Sequence, residues 1–328
     1  MWRKDGSFYT WIKPTPRTDQ ENFYPGEALF YWAALFEHTA VAATSHQPGK
    51  GAFKATEGTD LEGLLQKFVA TFRYYREWHL QPANRNPAFV PWHTQALYQM
   101  WRTLGALPLP VSGAGASEAT PMEIREQKRR AADLRFEILD FVVEMNDWLV
   151  ATQQWEWNDS NGEWNDGGAG GGGGDSSGPL FHDIQGRFYK PGANYGAPHA
   201  SATGVYIEGL AESYRMVVEA RAEQAQAAKV GALGPVFPIP RRTAAHLLES
   251  RRLYARSLVR AMRSAITLQF QDDTDMFYVK KADRPRNVRG GIRTTVYNNE
   301  IRVDNVQHII MGSLNMLDAF DEFDESFH

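Results

Sequence analysis

The sequence predicts a mainly α protein: an incomplete or open α/α toroid of alternating inner and outer helices, with short β-hairpins before the inner ones. Three observations predict it. Seven segments carry apolar residues at helical spacing, three and four apart. They alternate between short segments apolar nearly all round and longer ones charged on one side. A unit of aromatic hairpin, polar loop and apolar helix start also recurs along the chain. Helices apolar all round are buried, while amphipathic ones face solvent. The alternation therefore reads as an inner set covered by an outer set. All inner helices then point the same way, and their N-termini share one end.

The first helix is expected at 25–39, "PGEALFYWAALFEHT", where Pro25 suits a first turn and Glu27 meets the positive end of the helix dipole. The second spans 60–80 with Asp60 as its cap, and the third, 91–105, stops at Gly105. The fourth, 121–154, is charged in its first half and apolar in its second. Its Asn146 and Asp147 read as a polar anchor between helices, because buried polar side chains must be bonded, and Gln153 and Gln154 lie deep in the same segment. The fifth covers 201–228. The sixth covers 242–270, opening with Thr243 as its cap, and the seventh covers 302–320. Aromatic and β-branched residues mark hairpins at 6–14, 186–191, 276–281 and 291–298. Residues 158–179, with their polyglycine tract, read as a flexible insertion in a single domain, 1–328, because such a tract cannot offset its ordering entropy. Residues 107–121 and 229–242 are looser connectors.

Composition narrows the partners. The chain has 328 residues, a net charge of -4 and 43% hydrophobic residues. No basic face stands out, which argues against nucleic acid. No cysteine is present, so thiolate nucleophiles, disulfides and cysteine-bound metals are excluded. No apolar run has the length of a membrane helix, and no apolar core of a signal peptide opens the chain, so it reads as soluble, its compartment left open. The 10 Trp, 13 Tyr and 18 Phe serve cores first, and exposed rings also suit sugar-stacking platforms.

The helix starts "FYPGEAL", "VPWHTQAL", "HASATGVYIEGL" and "IRVDNVQHIIMGSL" carry ionisable groups into apolar helices. In this pattern the sequence resembles the α/α-toroid enzymes: six-hairpin glycosidases, N-acylglucosamine-2-epimerase-like proteins and terpenoid-cyclase-like folds. The resemblance implies a basin at the inner-helix starts acting on a small molecule or glycan. Seven helices fall short of a closed ring of that class, which points to a homo-oligomer, a missing toroid half or an open arc. An aspartate-rich DxDD run is absent, which weakens the terpenoid branch.

The candidate catalytic residues are Glu27, His93, His199, Glu208, Asp304 and His308. Tyr24, Trp92, Gln95, Tyr206, Arg293 and Arg302 are candidates for substrate binding. Two carboxylates, such as Glu27 with Glu208 or Asp304, suit acid and base roles at a glycosidic bond. Two histidines, such as His199 and His308, suit proton movement at a sugar carbon, as an epimerase requires. Arg293 or Arg302 suits a substrate carboxylate. Histidine and carboxylate suffice for zinc, but no HExxH occurs, and no metal is expected. No cofactor is expected either, since P-loop, dinucleotide and GxSxG motifs are missing and "DSNGEWND" departs from the EF-hand spacing. The alternative is a non-catalytic helical-repeat protein whose concave face binds a peptide, a glycan or a sister chain.

Overall fold

A computed structural model describes residues 2–11, 13–44, 61–106, 120–154, 156–158, 163–165, 186–189, 199–230, 242–271 and 288–323. Outside them lie Asp60, the expected hairpin at 276–281, most of both connectors, and the insertion 158–179 apart from 158 and 163–165.

The chain is mainly helical. Among the described residues the order is α1 (Tyr24–Thr44), α2 (Leu61–Leu80), a 3-10 turn (Pro82–Asn84), α3 (Phe89–Ala106), α4 (Pro121–Val150), β1 (Glu156–Asn158), β2 (Glu163–Asn165), α5 (Ala200–Val230), α6 (Ala244–Ile266) and α7 (Val303–Phe323). β1 and β2 pair antiparallel, with Trp157 in register with Trp164. Two compact units emerge: one of Met1–Glu144 and Glu219–Leu247, the other of Met145–Val218 and Leu248–His328.

Local chemistry sets the helix ends. Thr243 Oγ1 accepts the His246 N–H at 3.3 Å, as a cap should. Thr120 and Glu123 form a reciprocal capping box at the start of α4: the Thr120 N–H meets Glu123 Oε2 at 2.8 Å and the Glu123 N–H meets Thr120 Oγ1 at 3.3 Å. α3 begins two residues before the expected Pro91. The Asn86 side chain accepts the Ala88 N–H at 3.0 Å and starts the turn early, leaving Pro91 in the first turn where its missing N–H is harmless. Gly105 lies inside the last turn of α3 rather than beyond it. α4 stops at Val150, short of the expected 154, because Gln154 turns away to exchange backbone hydrogen bonds with Gly186 and Arg187.

Where hairpins are expected at 6–14, 186–191 and 291–298, the described residues form isolated bridges, and three of these share one design. Each has a glycine at positive φ: Gly6 at 92°, Gly186 at 84° and Gly290 at 84°. Each glycine N–H bonds the carbonyl of a residue (Arg3, Gln154, Phe270) whose own N–H returns to the residue after the glycine. Two residues past the glycine, a buried Phe8, Phe188 or Ile292 bridges Trp2, Gln153 or Gln269. The left-handed backbone makes the turn, and the buried side chain anchors it.

In the first unit α1 and α3 run parallel. Gly26 lies against Trp92 and His93 near their starts, and Gln99 Nε2 donates to Glu37 Oε2 at 2.8 Å further along. Leu29, Phe36, Phe68, Phe72, Phe89, Leu97 and Phe141 fill this core. In the second unit α5 and α7 also run parallel. Gly204 lies against His308, Gly312 against Ile207, and Tyr214 packs edge-on against Phe320 at 5.3 Å. Polar side chains of α4 and of the turn after it hold neighbouring segments. Buried Gln153 donates from Nε2 to the carbonyls of Gly186 and Ser257, both at 2.9 Å, and Asp147 accepts the Tyr254 hydroxyl at 2.7 Å. No helix among the described residues is long and apolar enough to cross a membrane.

Candidate active site

Thr294 ties the starts of α5 and α7 together. Its carbonyl accepts the Ala200 N–H at 2.9 Å, and its hydroxyl accepts from Asn305 Nδ2 at 2.9 Å while donating to the Glu300 carbonyl. Both Thr294 and Asn305 are buried. Two parallel helices thus open side by side, and their first turns carry the ionisable groups.

His199 stands one residue before α5 and caps it. Its Nδ1 accepts the Ala202 N–H at 3.4 Å and lies 2.7 Å from Ser201 Oγ. A backbone N–H only donates, which assigns the proton of the neutral ring to Nε2. Burial lowers the His199 pKa, and the nearby Arg302 charge lowers it further against the opposing pull of Asp304. Asp304, in the first turn of α7, takes both ends of the Arg302 fork, Nε at 3.0 Å and Nη2 at 2.8 Å. Burial works against its ionisation. The Arg302 charge and a hydrogen bond from Ser201 outweigh that and hold its pKa below the usual aspartate value. The Ser201 hydroxyl therefore has two acceptors within reach of its single proton, the His199 Nδ1 and the Asp304 carboxylate.

One turn deeper lies a second pair. His308 Nδ1 meets Glu208 Oε1 at 2.9 Å, with the carboxylate side chain 6% exposed and the imidazole 17%. This contact depends on Gly204, one turn before Glu208. A Cβ there would stand 2.5 Å from the backbone carbon of His308, so only glycine lets the two helices approach this closely.

The structure sorts the other candidates. Tyr206 is buried and packs edge-on against Phe188 at 5.5 Å, which makes it a core residue. Arg293 donates from Nη2 to the Thr267 carbonyl at 3.0 Å and lies over the Phe270 ring, so it closes the end of α6. In the first unit Tyr24 and Glu27 are exposed at the start of α1, and partial burial of the Glu27 carboxyl raises its pKa. Trp92 is half-buried, and Gln95 makes a long 3.4 Å hydrogen bond to the Pro91 carbonyl. His93 is fully buried. Its Nδ1 lies 2.8 Å from the Phe89 carbonyl, and its ring stacks on Phe89, which His79 covers on another side with ring centres 4.3 Å apart. Burial lowers the pKa of both histidines to about 3. His93 is thus a neutral, packed ring in this geometry.

Sequence reasoning passed over Ser201, Thr294 and His79. Ser201 had a signal, since a hydroxyl two residues after a histidine at a helix start lies within reach of it. Thr294 had none, because its role comes from a bond to residues outside its own segment. Among the described residues no group of three or more His, Cys, Asp or Glu is arranged to hold a metal ion. Comparison with family models, curated proteins and solved structures gives no match.

Proposed function

We propose that the chain is a carbohydrate-active enzyme on an α/α-toroid scaffold, moving a proton at a sugar carbon as epimerases and isomerases do. The observation that carries this reading is the Glu208–His308 pair, 2.9 Å across two helices. With Glu208 accepting a hydrogen bond from Nδ1–H, the lone pair at His308 Nε2 is left as a base. His199 carries its proton on Nε2 and donates a hydrogen bond to the carbonyl oxygen of the open-chain sugar. The His308 imidazole takes the proton from the carbon beside that carbonyl, becoming imidazolium and leaving an enediolate, and the imidazolium returns that proton, or one exchanged with solvent, to carbon. A two-carboxylate glycosidase fits less well. Glu208 is committed to His308 and Asp304 to Arg302, so neither carboxyl stands alone as a general acid. The parallel pairs α1–α3 and α5–α7 support the toroid arrangement.

The test is solvent-exchange NMR. A panel of hexoses, hexosamines, N-acetylhexosamines and uronates is incubated with the protein in D2O. The reading expects deuterium at the carbon beside the carbonyl of at least one sugar, and a loss of about 100-fold or more with His308→Gln, a typical worth for a general base. No exchange with any class by the folded protein overturns it.

A further inference from the structure

The seventh helix is apolar on two faces, and the structure uses one. Asn305, Ile309, Gly312 and Ala319 are buried. A second seam, Val303, Gln307, Ile310, Leu314 and Leu317, repeats at steps of four and three residues and faces outward. Val303 is 83% exposed, Ile310 52%, Leu314 49% and Leu317 56%, with Met311 beside them at 44%. A helix apolar all round is ordinarily covered all round. α1 also exposes Tyr24, Tyr31 and Val41, but Glu27, Glu37 and His38 break that face. On the α7 seam Gln307 is the one polar side chain among five.

We propose that this seam is the interface of a homodimer, in which α7 of a second copy packs antiparallel about a two-fold axis near Ile310. Charge selects this occupant. Counting outward from Ile310, the eighth residue toward the N-terminus is Arg302 and the eighth toward the C-terminus is Asp318. The antiparallel pairing therefore sets Arg302 of each copy opposite Asp318 of the other. Both are accessible, with side chains 46% and 69% exposed, while within the chain Arg302 also pairs with Asp304 at 2.8 Å and Asp318 lies 3.8 Å from Arg215. A parallel pairing would instead set Arg302 against Arg302. The same register lays Val303 against Leu317 and Ile310 against its own counterpart, a self-complementary seam as two-fold interfaces require. The exposed side chains amount to roughly 500 Å² per copy and so roughly 1,000 Å² in the pair, at the lower bound for a specific interface. The dimer rests on this face and does not require the proposed activity, but Arg302 is shared with the candidate site, where it holds Asp304.

The absence of cysteine makes the register measurable on the whole protein. With mild oxidant, Ile310→Cys should cross-link to itself. Val303→Cys should cross-link to itself at least ten-fold less, since the antiparallel register sets its two copies about 20 Å apart along the axis at 1.5 Å per residue. A mixture of Val303→Cys and Leu317→Cys chains should give the crossed product. By sedimentation equilibrium, Leu314→Glu should weaken association ten-fold or more. Arg302→Glu and Asp318→Arg should each weaken it, and the two combined should restore it. A monomeric wild type at high micromolar concentration overturns the proposal. Equal self-cross-linking at 303 and 310 shows a parallel pairing and overturns it. Dissociation by Tyr31→Glu, without response to the 302/318 exchange, places the contact on α1 and overturns it too.

Discussion

His308 Nδ1 and Glu208 Oε1 meet at 2.9 Å, although the two residues are 100 positions apart in the chain. Each is nearly enclosed, so the pair holds α5 and α7 together as well as offering a base. Removing the imbedded carboxylate leaves the imidazole nitrogen with a lost partner in a poorly hydrated place, which costs about 1–3 kcal/mol. Glu208→Ala should lower stability by that amount in urea denaturation. Glu208→Gln keeps an acceptor oxygen for Nδ1–H and should cost less than half as much. A double-mutant cycle with His308→Ala should return a coupling of at least 0.5 kcal/mol, as for residues in contact. Additive single effects would show that the contact contributes nothing to the fold.

The glycines beneath this pair should be unequal. Alanine at 204 would put its Cβ 2.5 Å from the His308 carbonyl carbon and 2.7 Å from the Ile309 nitrogen. Backbone cannot swing aside, so the helices must part, and overpacking of this kind costs about 1–3 kcal/mol or more. At Gly312 the nearest atoms are 3.0 Å and 3.1 Å away, and part of that contact is the Ile207 side chain. Gly204→Ala should therefore shift the urea midpoint down clearly more than Gly312→Ala. Equal shifts would mean that α5 and α7 are not so closely apposed.

Legibility in the sequence followed the range of the interaction. Helix positions and the Thr243 cap depend on residues within a few steps of one another, and they were readable. The start of α3 was missed by two residues because the Asn86 side chain, not Pro91, begins the turn. The recurring helix-start pattern predicts one basin for all four starts; the structure ties the starts of α5 and α7 together, where His199, Asp304 and Arg302 lie side by side. Tyr206 and Arg293 carry equally suggestive chemistry but point into Phe188 and the end of α6. A helix start gives the neighbourhood of a side chain, and rotamer and packing give its direction. His93 shows the same limit: a histidine at a helix start looks the same in sequence whether it meets substrate or stacks on Phe89.

That stack has a consequence for acid stability. His79 and His93 are held neutral, their pKa values lowered from 6.5 to about 3, in both cases chiefly by burial. The sign follows from proton counts. Above pH 6.5 folded and unfolded chains both carry neutral imidazoles, and neither residue makes stability depend on pH. Below it the unfolded chain takes up two protons that the folded chain refuses, so stability falls as pH falls, and the loss stops only near pH 3 where the folded rings titrate. Each ring contributes a slope of up to about 1.4 kcal/mol per pH unit in that window. Urea unfolding between pH 6 and pH 4 should show this slope from both rings, added to whatever the carboxylates contribute. His93→Phe, which keeps an aromatic ring on Phe89, should reduce the slope by up to the contribution of one ring. An unchanged slope in that variant would mean that His93 is protonated inside the folded protein, and the buried neutral stack would have to be abandoned.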